Sequence, residues 1–131
     1  MLAACGSSGG SASSSGGPAK NGSGLVADIS HPNVQITADT VIASAQVRVG
    51  GAPGKHLTLK WGLVDALLGN ESQEERVIRR YVTTRKVVTD TESVRIPRRL
   101  ANSPLLVHFV IYAPDGTYLA SVDTHSFGKG S

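Results

Sequence analysis

The sequence predicts an all-β fold, a seven-stranded antiparallel sandwich, and three observations carry that expectation. From Leu25 onward apolar residues recur at every second position, the period of a strand with one buried face. The alternating stretches are short and are separated by clusters rich in Gly and Pro, which break extended chain into turns. Hydrophobic residues make up 40% of the 131 residues and aromatic residues 5%, so the core must be mainly aliphatic, as in many small sandwiches.

The first strand is placed at about 26–37. In the second, 41–49, Val41, Ala43, Ala45, Val47 and Val49 alternate with Ile42, Ser44, Gln46 and Arg48. Gly50-Gly51-Ala52-Pro53-Gly54 ends it. In the third strand, 57–64, Leu57, Leu59, Trp61 and Leu63 form the apolar set, and Trp61 is expected to be buried between the sheets. Residues 70–75 carry acids that suit a helical first turn, but Val77, Ile78, Val82, Thr83, Thr84, Val87 and Val88 are β-branched. The expectation is a loop or single helical turn, then one long strand over 76–89. A short strand at 93–97 is stopped by Pro97, and the last two strands run over 105–113 and 117–126.

The final hairpin permits a register argument. Leu105, Val107, Phe109 and Ile111 should face inward, as should Tyr118, Ala120, Val122 and Thr124. A one-residue slip would invert one face. A four-residue loop, Pro114–Thr117, puts 113 opposite 118, His108 opposite Asp123, Leu106 opposite His125 and Tyr112 opposite Leu119. Leu106, His108, Val110, Tyr112, Leu119, Asp123 and His125 then share the outer face, which is a candidate binding surface, since clustered exposed apolar groups mark interfaces.

The N-terminal stretch differs in kind. Leu2-Ala3-Ala4-Cys5 contains the sole cysteine, so no internal disulfide forms. Between Gly6 and Gly24 there are seven Gly, seven Ser and two Ala, a composition that predicts a disordered, flexible tether reaching about 25 Å. Such neighbours neither bury a thiol nor activate one. The four residues and their tether resemble the lipobox of bacterial lipoproteins. That resemblance implies a signal peptide encoded ahead of Leu2, an acyl group such as palmitate on Cys5, and a place outside the cytoplasm. The protein would be anchored to the cell membrane or outer membrane of a bacterium and face the periplasm or cell envelope. Residues 1–24 would be lipobox and linker, and 25–131 the folded domain. With Trp61 in its third strand and a tight hairpin joining its last two, that domain resembles an immunoglobulin-like sandwich lacking the antibody-type cysteine pair.

Charge is unevenly placed. The formal net charge is +3, and eight of the thirteen basic residues (Arg76, Arg79, Arg80, Arg85, Lys86, Arg95, Arg98 and Arg99) lie between 76 and 99. Only Asp90 and Glu92 oppose these eight, leaving a net +6. The stretch reads either as a charged edge that discourages strand pairing or as a contact for an anionic lipid or cell-wall polymer. No interleaved aromatic platform accompanies it, so no nucleic-acid partner is expected.

Enzymatic motifs fail on inspection. Gly50-Gly51-Ala52-Pro53-Gly54-Lys55-His56 lacks the first Gly and the final Ser or Thr of a phosphate loop, and Pro53 removes a backbone donor. Gly6-Ser7-Ser8-Gly9-Gly10 fits a nucleophile elbow in letters, but lacks its strand and helix. The four histidines have no zinc spacing. The expectation is therefore a non-enzymatic binding or assembly module without a cofactor, its partners the membrane and an envelope protein or polymer. The alternatives are a small metal-handling or enzymatic extracytoplasmic domain using His108, Asp123 and His125, or a cytosolic domain with a disordered N-terminus.

Overall fold

The computed structural model describes residues 24–69 and 75–128. The lipobox, Cys5, the tether and residues 70–74 lie outside the described residues. Seven strands follow in order: β1 Val26–Ile36, β2 Thr40–Gly50, β3 His56–Asp65, β4 Arg76–Val82, β5 Val88–Pro97, β6 Leu105–Tyr112 and β7 Tyr118–Asp123, with a 3₁₀ turn at Arg98–Leu100. They form two antiparallel sheets, β1-β2-β5 and β4-β3-β6-β7. This is the seven-stranded immunoglobulin-like sandwich. Compared with the constant-type arrangement, β4 lies beside β3 rather than beside β5.

The core follows from the period of two. Val41, Ala43, Ala45, Val47 and Val49 of β2 are buried, and face Leu57, Leu59 and Leu63 of β3 and Val107, Phe109 and Ile111 of β6 across the layer. Full burial stabilises each of the larger side chains by about 1.5–3 kcal/mol relative to exposure. One side of the sandwich is closed, because β1 packs along β7 and β6. The other side carries the two edge strands β4 and β5, which bring most of the basic residues to one flank.

The long strand expected over 76–89 is two strands in different sheets. The break is at Thr83, whose hydroxyl donates to the Ala52 carbonyl (2.6 Å) and accepts from the Lys55 amide (2.9 Å). The Thr83 backbone also bonds to Lys55 and Gly54. These contacts hold residue 83 on the β2–β3 loop, and the chain then crosses to join β2. β-Branched composition reports extended backbone, but does not say which neighbour an extended segment pairs with.

Two further details differ from the expected pattern. In β1, His31 adopts φ +55 and the pairing shifts by one residue between Ser30 and Asn33, a bulge that bends this edge strand. In the last hairpin the loop has three residues. Gly116 (φ +85) bonds back to the Ala113 carbonyl, and Ala113 pairs with Thr117 rather than with residue 118. The register then shifts between Ile111 and Tyr112, after which Ile111 opposes Ala120 and His108 opposes Asp123.

Candidate functional site

Two surfaces collect the residues singled out by sequence. The first is the outer face of β6 and β7. The geometry there puts His108 opposite Asp123, with Nδ1 donating to Oδ1 at 2.5 Å. Tyr112 opposes Tyr118, not Leu119. The extra residue of the shift turns Leu119 toward the core, where it is half-buried, and leaves Tyr118 exposed on the outer face. Val110 is not an exposed apolar group either. It is 0% accessible, yet stands apart from the main core cluster. Its cross-strand neighbours on this face are Lys60 and Ser121. Lys60 reaches over the Tyr112 ring, 5.4 Å from its centroid, and the Tyr112 hydroxyl donates to Glu75 Oε1 (2.8 Å). Tyr118 and Ser121 are joined through their hydroxyls (2.7 Å).

Polar pairs therefore occupy the face on which an apolar patch was expected. Leu106 is half-buried. His125 follows the end of β7 and does not oppose Leu106. The chain shifts register once more there, and Phe127 pairs with Leu105. Among the described residues no group of three His, Cys, Asp or Glu side chains is placed to hold a metal ion.

The second surface is the flank made by β4, β5 and their connection. At its middle Glu92 ties the two sheets together. Glu92 Oε2 accepts from Arg79 Nε (2.8 Å) and from the Tyr81 hydroxyl (3.1 Å), while the Arg79 guanidinium lies 5.9 Å from the Tyr81 ring centroid. Burial, and then the Glu92 carboxylate, push the Tyr81 phenol far above its ordinary range, so it remains a proton donor at physiological pH. Arg98 is also committed, since its Nη1 donates to the carbonyls of Thr37 and Ala38 (3.2 Å each) and pins the β1–β2 turn. Sequence reasoning grouped all eight basic residues as surface contacts, but these two serve the fold.

Near the Arg98–Leu100 end, Trp61 faces the open side of the sandwich. It is half-buried, not enclosed, and lines a recess of about 170 Å³ with Leu63, Ile96, Pro97, Leu100 and the flanking Arg76. The expectation of a fully buried indole fails because β4 and β5 are both edge strands here, and no strand closes the gap between them. Trp61 emission should therefore lie between that of water-exposed and dry-core indole, and should move red in Arg76→Ala as the recess opens. An emission maximum matching free indole in water would contradict this placement.

No family model matches the chain, and no curated protein matches it. Solved structures do. One is a chain assigned as a beta-galactosidase from Bacteroides fragilis, with TM-score 0.51 and 12% identity, over 77% of this chain and 16% of that one. Another is beta-glucosidase 3B from Thermotoga neapolitana, with TM-score 0.45 and 12% identity, over 80% of this chain and 16% of that one. At such identities the likeness shows the fold alone. The chain spans 16% of the length of each of these enzymes.

Proposed function

We propose that this chain is a lipid-anchored, non-enzymatic binding or assembly module of the bacterial cell envelope. The observation that carries the reading is the sole cysteine, placed behind Leu2-Ala3-Ala4 and directly ahead of a Gly/Ser tether. A thiol in that setting has no packing or catalytic use, and covalent attachment of an acyl chain gives it one. Two signals stabilise membrane attachment better than one chain alone, which gives the basic flank a natural part in the same task. The tether, about 25 Å in reach, lets a compact sandwich move above the headgroups while staying near them. Binding rather than catalysis is the reading the side chains support, because the described polar groups pair with each other instead of converging on a cavity.

The test is metabolic. Cells producing the protein from its full gene are grown with labelled palmitate, and the label should enter the protein and be absent in Cys5→Ser. The coding sequence ahead of Met1 should specify a basic residue and an apolar run of about 7–15 residues. Absence of label in the parent protein, or label that survives Cys5→Ser, removes the proposal.

A further inference from the structure

We propose that the β4–β5 flank is the face this domain lays against an anionic phospholipid surface. The lipid-anchored reading explains how the domain is brought there, and the proposal rests on it for that alone. The contact is argued from the flank itself.

The first observation is which cations are free. With Arg79 held by Glu92 and Arg98 by carbonyls, six of the eight remain: Arg76, Arg80, Arg85, Lys86, Arg95 and Arg99. All six are exposed, and among the described residues none of their side chains has an ion pair or hydrogen bond. The two acids of the segment do not offset them at the surface. Asp90 and Glu92 oppose Val47 and Ala45 in the β2–β5 ladder, so they point inward with the buried set of β2.

The second observation is apolar exposure in the same stretch. Val77, Val82, Val88 and Leu100 are all exposed, with Val82 63% accessible. A purely polar polyanion leaves these side chains in water, whereas the headgroup boundary of a bilayer receives cations and apolar side chains together. That pairing favours lipid over polymer.

The third observation is position. Val26 pairs with Gly50, and the backbone of Lys86 lies against Gly50. The Arg85–Lys86 turn is thus at the end of the sandwich where the chain arrives from residue 23. A domain held by its N-terminus presents that end to the surface first, and the rest of the flank follows along β4 and β5.

The assay uses the full chain carrying Cys5→Ser, so that any binding is the domain's own, and sedimentation with vesicles. Vesicles of phosphatidylglycerol and phosphatidylcholine in equal parts should bind it, and phosphatidylcholine alone should not. Added salt should weaken the binding. Arg85→Gln with Lys86→Gln should lower the partition coefficient about 25-fold, roughly fivefold per cation. Val82→Ser with Val88→Ser should weaken vesicle binding as well. Lys60→Gln removes the same charge from the outer face of the other sheet, and should change binding less than about twofold. Thermal unfolding checks each variant, and Arg80→Gln with Arg95→Gln replaces any that fails to fold. The proposal is overturned by absent binding to anionic vesicles, by an equal loss in Lys60→Gln, or by soluble poly(glycerol phosphate) binding where vesicles do not. A missing palmitate label with intact vesicle binding would remove the anchor and leave the flank.

Discussion

Phe127→Ala is expected to lower the unfolding free energy by about 3–5 kcal/mol, as truncation of a buried aromatic does. The residue lies beyond β7, yet its ring is 1% accessible and belongs to the core cluster. Two backbone hydrogen bonds hold it there, Leu105 N to Phe127 O (2.8 Å) and Phe127 N to Leu105 O (2.7 Å). Gly128 follows at φ +99, and a Cβ there would stand 2.6 Å from the Ser103 carbonyl oxygen. The segment is thus packed as tightly as a strand. Because small domains have only about 5–15 kcal/mol in total, the variant should denature at markedly lower urea concentration. Phe127→Leu should recover more than half of the loss, because it refills most of the cavity. The neighbouring exposed His125→Ala should shift stability by no more than about 0.5 kcal/mol. A Phe127→Ala cost below about 1 kcal/mol would show that the ring contributes nothing to the core.

Phe127 was not legible in the sequence, and the reason is general to this fold. A period of two is readable where several apolar residues repeat it, as in β2 and β6. A single Phe after Thr124-His125-Ser126 repeats nothing, and a register shift decouples it from the strand before it. Thr83 is similar. Its hydroxyl bond to Ala52 spans 31 residues, and only that contact decides that β4 ends and the chain changes sheet. The His108–Asp123 pairing was legible, because both strands alternate strongly enough to fix the body of their register. The pairing of Tyr112 was not, because the turn chose a three-residue loop with Gly116 in the left-handed region and the strand absorbed the difference at Leu119. Sequence grouped the eight basic residues correctly in space, since both edge strands lie on one side. It gave no sign that Arg79 and Arg98 are committed to internal bonds, because their partners are a carboxylate in the other sheet and two backbone carbonyls in a distant turn.

Gly50→Ala is expected to cost about 2–6 kcal/mol, enough to leave the domain unfolded or barely folded at 37 °C. The backbone contribution comes from φ +143, a conformation that side-chain-bearing residues rarely adopt. It is worth about 1–3 kcal/mol. The steric contribution is as large. A Cβ on Gly50 would stand 2.2 Å from the Lys86 carbonyl oxygen and 2.7 Å from the Val87 Cα. Both are backbone atoms, so no rotamer change relieves the overlap, and the chain itself must move at a further cost of about 1–3 kcal/mol. That movement would pull on the first pair of the β2–β5 ladder, Val49 with Val88, and on the Val26–Gly50 pair of β1. Gly54→Ala separates the two contributions. Its φ is also positive, at +74, but nothing lies within 4 Å of the added Cβ, so only the backbone part of about 1–2 kcal/mol remains. Thermal unfolding of the two variants side by side should therefore show a much larger fall for Gly50→Ala. Equal falls would mean that Lys86 does not approach Gly50. The Arg85–Lys86 turn would then lose its place at the end of the sandwich where the N-terminal chain arrives, and with it the geometric reason for that turn to meet a membrane first.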